Sequence, residues 1–212
     1  MNRKTRLFAI LGAAAILVIA LCVAVFGSGD SRLHRIGGAY GAEKSPDAVA
    51  VYKDLTVTAG MLDYQKKLNA EADEGLQRDE TDREIIDRLI TGELQVEEAE
   101  RLGIAATDEE ISRMIADLQE TYATYPESAA AIDQFCEGAG MTLEEYWADV
   151  ERQTYGTISR LKLRNQVDRE YCAAHGLEYT RVNQPQEVRD NFSAYLAELL
   201  EAHRDEITYY ID

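Results

Sequence analysis

Three times in this chain a threonine is followed, three residues on, by a glutamate at the mouth of an apolar run: Thr81 with Glu84, Thr107 with Glu110, and Thr142 with Glu145. In that spacing the threonine hydroxyl accepts from the N3 amide, and the glutamate carboxylate accepts from the N-cap amide. Two donors that a helix start leaves orphaned are thereby satisfied. The runs behind these boxes repeat at helical intervals. The first is Ile85, Ile86, Leu89, Ile90, Leu94 and Leu102; the second is Ile111, Met114, Ile115, Leu118 and Tyr122; the third is Leu143, Tyr146, Trp147 and Val150, prolonged by Ile158 and Leu161. Gly103 and Gly176 stand where the first and third patterns end, and Gly138 to Gly140 closes the short one preceding Thr142; the left-handed position after a helix suits glycine. Helices striped on one face bury that face against other helices, so the chain has to fold mainly as a helical assembly.

The remaining elements fit around these helices. Val49, Val51, Leu55 and Val57 alternate on either side of Lys53-Asp54, which predicts a short hairpin. Thr58 caps a helix with Met61, Gln65, Leu68 and Ala72 inward. Pro126 breaks the second striped helix, and a short helix carrying Ile132 and Phe135 follows it. Pro185 opens a last helix with Val188, Phe192, Tyr195, Leu196, Leu199 and Leu200 inward. Ile207 to Ile211 is rich in strand formers, and pairing with the Val49–Val57 strands would tie the two ends of the domain together. The expected fold is mainly α: about five to six helices with a small β element formed by the N-terminal strands and the C-terminal strand, preceded by one transmembrane helix.

That leading helix is read from Leu7 to Phe26, a stretch without a charge and long enough to cross a bilayer. Arg3, Lys4 and Arg6 precede it, which places the N-terminus in the cytoplasm and the rest on the extracytoplasmic side of the cell membrane. The division expected is residues 1–6 as a basic flank, 7–26 as a signal anchor, 27–46 as a flexible linker rich in Gly, Ser and Ala, and 47–212 as the folded domain. An uncleaved anchor is favoured over a cleaved signal peptide and over a lipoprotein at Cys22, where Leu21 is bulky for such a site. Beyond the anchor only Cys136 and Cys172 remain. Two buried inert thiols are the main reading, and a disulfide between them, which export would permit, is the lesser one. The net charge of −17, from 22 basic and 39 acidic residues, disfavours nucleic acid, whose phosphates need clustered Lys and Arg. His34, His175 and His203 lack ligand spacing, so no metal site is expected. No phosphate loop, dinucleotide fingerprint or nucleophile stands out, and no cofactor or small-molecule substrate is expected.

Several segments, in order, resemble one family. Val49–Leu62 (VAVYKDLTVTAGML) is similar to the entry strand, turn and helix of the SurA/PrsA-type extracytoplasmic chaperones, with Lys53-Asp54 in place of the usual Asn-Gly. Ile85–Ile111 (IIDRLITGELQVEEAERLGIAATDEEI) and Gly140–Leu161 (GMTLEEYWADVERQTYGTISRL) resemble two later helices of the same SurA N-terminal domain. The resemblance covers roughly Val49 to Gly176 and implies a helical chaperone domain. In that family a parvulin-type prolyl isomerase domain usually follows, and a helix and strand then return to complete the helical domain. Here eight residues, Leu177–Gln184 (LEYTRVNQ), separate Gly176 from Pro185. The resemblance therefore implies an isolated chaperone module without an isomerase, and hence no enzyme.

The paired acids (Glu97-Glu98, Glu109-Glu110, Glu144-Glu145) sit in first turns or on polar faces, where carboxylates suit the helix dipole and solvent. The binding candidates are aromatic and methionine residues, whose surfaces adapt to varied apolar partners. Tyr122, Tyr125, Tyr155, Met141 and Trp147 form the candidate client-binding set, although Trp147 sits at a stripe position and ordinary core packing competes for it. The function expected is a membrane-tethered chaperone-like protein that holds unfolded or exported polypeptides without ATP, in a cleft between the bundle and the returning C-terminal helix. The alternative is a non-enzymatic adaptor or scaffold docking one envelope partner.

Overall fold

A computed structural model describes residues 30–41, 47–72 and 76–211. The proposed membrane segment, 7–26, lies outside them. Among the described residues there are seven α-helices and one three-stranded sheet: α1 (Asp30–Gly41), β1 (Ala48–Tyr52), β2 (Leu55–Thr58), α2 (Ala59–Glu71), α3 (Asp82–Arg101), α4 (Asp108–Thr124), α5 (Pro126–Ala139), α6 (Leu143–His175), α7 (Gln186–Ala202), a 3-10 turn (Arg204–Glu206) and β3 (Ile207–Tyr209). No described helix is long and apolar enough to cross a membrane.

All three capping boxes form, with both reciprocal bonds present at Thr81, Thr107 and Thr142. Gly103 adopts a φ of 69°, and its amide bonds Glu100 O while Ile104 N bonds Ala99 O at 2.9 Å. This double closure satisfies the last carbonyls of α3 and turns the chain into α4. The loop so formed is fastened to α6, where the Ser159 hydroxyl accepts from Ala106 N at 3.0 Å and Lys162 donates to Ala105 O at 3.0 Å. Helix α6 runs through Gly156 without interruption.

The sheet order is β2-β1-β3, antiparallel throughout, with Val51 opposite Thr56 on one side and Thr208 on the other. The C-terminal strand thus pairs with the entry strand. Polar contacts stitch this sheet to α3. The Tyr52 hydroxyl and the Lys53 ammonium both donate to Glu97 at 2.8 Å. Asp87 accepts from the Tyr209 hydroxyl and, at 2.9 Å, from Arg204.

The first correction is in the stretch expected to be a flexible linker, where α1 occupies Asp30–Gly41. Leu33, Ile36 and Ala39 are buried in one core with Tyr64, Leu118, Ile132, Phe135, Tyr146 and Val150. Glycine makes this docking possible. A Cβ on Gly37 would stand 2.2 Å from Phe135 O, and one on Gly138 would stand 2.1 Å from His34 O. Helices α1 and α5 therefore touch backbone to backbone, and residues that weaken a helix in isolation become the contact surface. Arg35 forks onto Glu71 of α2 at 2.7 and 2.6 Å, and the Tyr40 hydroxyl donates to Asp149 of α6 at 2.7 Å. This helix also explains a second difference. Met61, Gln65, Leu68 and Ala72 are only half-buried, whereas Leu62 and Tyr64 are buried. Leu62 faces the core shared by the sheet and α3, and Tyr64 faces the core built on α1, so α2 is covered on two sides.

A third cluster, Ala99, Leu163, Val167 and Phe192, holds α7 against α3 and α6. Cys136 and Cys172 are both buried and free, so the disulfide of the lesser reading is not formed. Burial, and then nearby Asp133, push the Cys136 thiol up to about 11, which keeps it a protonated, unreactive group at neutral pH.

Candidate functional site

The five candidate residues fall into separate places. Tyr122 of α4 and Trp147 of α6 meet edge to face, with ring centroids 6.0 Å apart, and Trp147 meets Tyr146 in the same way at 5.1 Å. Both, with Met141, lie half-buried on the α1–α5 core. The Tyr122 hydroxyl donates to Asp133 of α5 at 3.1 Å, and burial followed by this bond raises its pKa. These three residues thus close the outer layer of a core. Tyr125 forms the joint between α4 and α5: its carbonyl accepts from Ser128 and Ala129, while its side chain is 40% exposed.

Tyr155 stands apart from them. Its hydroxyl donates to Glu100 of α3 at 2.5 Å, and this bond is the main reason its pKa is raised. It lines an open cavity of about 470 Å³ between α2, α3 and α6, roofed in part by Tyr40 of α1. Met61, Leu89 and Val96 supply its apolar wall, and Glu93, Arg152 and Arg160 its charges. The cavity sits between the α1–α5 core and the sheet core, where the two lean apart. None of its lining comes from α7. The cleft expected beside the returning helix is filled instead by Phe192, Val188, Tyr195 and Leu196, the first two buried.

The cavity charges differ in how far they are committed. Arg152 pairs with Asp149 of its own helix. Glu100 accepts a hydrogen bond from the Tyr155 hydroxyl. Arg160 is half-buried, and burial lowers its pKa, with Glu93 as the opposing influence. Glu93 projects from α3 with its edge still in solvent; partial desolvation, then Glu97, push its carboxyl upward. Arg160 lies against glycine on two helices: a Cβ on Gly92 would stand 3.5 Å from Nη1, and one on Gly156 would stand 3.6 Å from it. No local signal marked Glu93 or Arg160, since each is one polar residue on the flank of an apolar stripe. Only the crossing of α3 and α6 brings them together.

The helices and entry hairpin make a mainly helical domain with one small sheet, and residues 1–157 match the family model described as the SurA-like N-terminal domain. The chain belongs to that family. No curated protein and no solved structure matches it.

Proposed function

We propose that the chain is a membrane-tethered, extracytoplasmic chaperone-like protein that holds unfolded or exported polypeptides reversibly, without ATP and without prolyl isomerase activity. The observation that carries this reading is the open cavity between α2, α3 and α6. Its volume falls within the range of about 300–1,000 Å³ usual for ligand sites, and its walls mix thioether, aliphatic, aromatic and charged groups. Such a lining suits short extended segments of varied sequence. The exposed large apolar residues support a holding role over docking of one partner: Leu76, Leu102, Tyr125, Val182 and Tyr210 come from separate segments of the chain, whereas a dedicated interface gathers such residues into one patch. The eight residues from Leu177 to Gln184 leave no room for a catalytic domain between α6 and α7. The tether rests on the uncharged run Leu7–Phe26 behind its basic flank.

The test is suppression of aggregation of a chemically unfolded protein by the full-length chain in mild detergent, followed by light scattering. Suppression at several-fold excess, with no acceleration of a proline-limited refolding reaction, is expected. No suppression, together with capture of one tight envelope partner, would establish the adaptor instead. The N-terminal part has to be retained, because removing α1 would strip Leu33 and Ile36 from the core and create a sticky face of its own.

A further inference from the structure

Resting on the reading of the cavity as a client site, we propose that it recognises a carboxylate on the bound polypeptide, with Arg160 as the group that receives it. Arg160 forms no hydrogen bond and no ion pair with any described residue. That sets it apart from Arg35, Arg101, Arg152 and Arg204, each of which is paired with a carboxylate. Its guanidinium is half-buried, with the charge of Glu93 nearby but no carboxylate in hydrogen-bond contact, so its donors remain available to an incoming acceptor. Its head lies close to two helix backbones: a Cβ at Gly92 or Gly156 would stand in ordinary contact with Nη1, at 3.5 and 3.6 Å. The residue lines the cavity.

The neighbouring charges are already committed. Arg152 is held by Asp149, Glu97 by Lys53 and Tyr52, and Glu100 by Tyr155. Glu93, which likewise forms no hydrogen bond or ion pair with any described residue, lies on the facing helix at the cavity edge. The planar fork of a guanidinium matches a carboxylate through two parallel bonds, which a backbone carbonyl cannot match. The occupant this defines is a short client segment with an aliphatic or aromatic residue, placed against Met61, Leu89 and Val96, beside a carboxylate placed on Arg160. That carboxylate belongs either to an acidic side chain or to a chain end. Glu93, when ionised, opposes it and sets an upper limit on affinity, which suits release.

The experiment uses fluorescent peptides of one apolar sequence carrying Glu, Gln or Lys at a single position, each with a free or amidated C-terminus. Binding to the full-length chain in detergent is read by anisotropy. The carboxylate peptide is expected to bind about 10-fold more tightly than its amide, the scale of one charge-assisted pair. R160M should abolish that difference, R160K should restore part of it, and E93Q should enlarge it. Retention of the preference on amidation assigns it to the side chain, and its loss on amidation to the chain end. Arg160 makes no hydrogen bond to a described residue, and only Glu93 feels its charge, so R160M should melt close to wild type and R160M with E93Q should match it, which separates a change in binding from misfolding. Equal binding of all peptides, or a preference that survives R160M, would overturn the proposal while leaving the chaperone reading in place. Failure to bind any peptide or to suppress aggregation would remove both.

Discussion

Tyr122 and Tyr125 look alike in the sequence, two tyrosines near one helix end, yet the structure separates them. Tyr122 has an aromatic edge on Trp147 and a hydrogen bond to Asp133, so its ring is part of a wall. Tyr125 contributes its backbone to the α4–α5 joint and leaves its ring in solvent. Tyr122→Ala is therefore expected to cost about 2 kcal/mol, below the loss for a fully buried aromatic because the ring is half-exposed. Tyr125→Ala should stay within about 0.5 kcal/mol of wild type. Urea unfolding of the two single variants, followed by tryptophan fluorescence, checks the pair. Equal effects would mean that the Tyr122–Trp147 contact contributes nothing. At this scale the sequence could nominate aromatic residues off the main stripe, as it did Tyr155. It could not nominate Arg160 or Glu93, which only the crossing of α3 and α6 brings to one cavity, a property that no local pattern carries.

At the scale of elements, the helices opened by Thr81, Thr107 and Thr142 were legible because their signals are local: a cap, a period and a glycine stop, all within a few turns. Helix α1 was not. Its sequence, DSRLHRIGGAYG, carries three glycines, each of which disfavours a helix by about 1 kcal/mol relative to alanine. What offsets that penalty is the α5 backbone lying against Gly37 and Gly41, distant in sequence. Substitution should expose this dependence. Gly138→Val places branched carbon where His34 O already sits, and the expected outcome is release of α1 with the sheet half of the domain intact. Limited proteolysis checks this: cleavage before Ala48 should become fast in the variant, while the fragment from Ala48 onward resists. Cleavage no faster than in wild type would show that α5 shifts to accommodate the side chain. Gly156→Ala makes the contrast, since its new methyl would meet only ordinary contacts at 3.6 Å. The variant should gain up to about 1 kcal/mol from helix propensity alone.

For the whole molecule, the acidic balance and the cross-element ion pairs set the response to pH. Arg35 holds the Glu71 carboxyl below its ordinary value of 4.5, Lys162 does the same for Glu110, and Arg101, with help from Tyr195, does so for Glu98. A carboxyl lowered by folding contributes stability that is complete above the unfolded value and fades as pH falls through the folded one. Melting temperature should therefore hold level from neutral pH to about 5 and drop below about 4.5. Glu110→Gln should lower the neutral plateau slightly and flatten part of the acid limb; an unchanged limb would mean that the exposed Lys162 pair is fully screened by solvent. Glu93 runs the opposite way, since its raised carboxyl penalises the fold above its unfolded value and relaxes on acidification. The central place of β1 in the sheet adds a consequence in time. Its partner on one side, β2, arrives within a few residues, but its partner on the other, β3, is the last ordered strand described. A chain delivered N-terminus first thus waits with one edge of β1 unfilled, and Tyr52 without its neighbour Ile207, until β3 has emerged. Closure of that half of the core is timed by the arrival of β3, more than 150 residues after β1, so the sheet stays open along one edge while every helix between them is made.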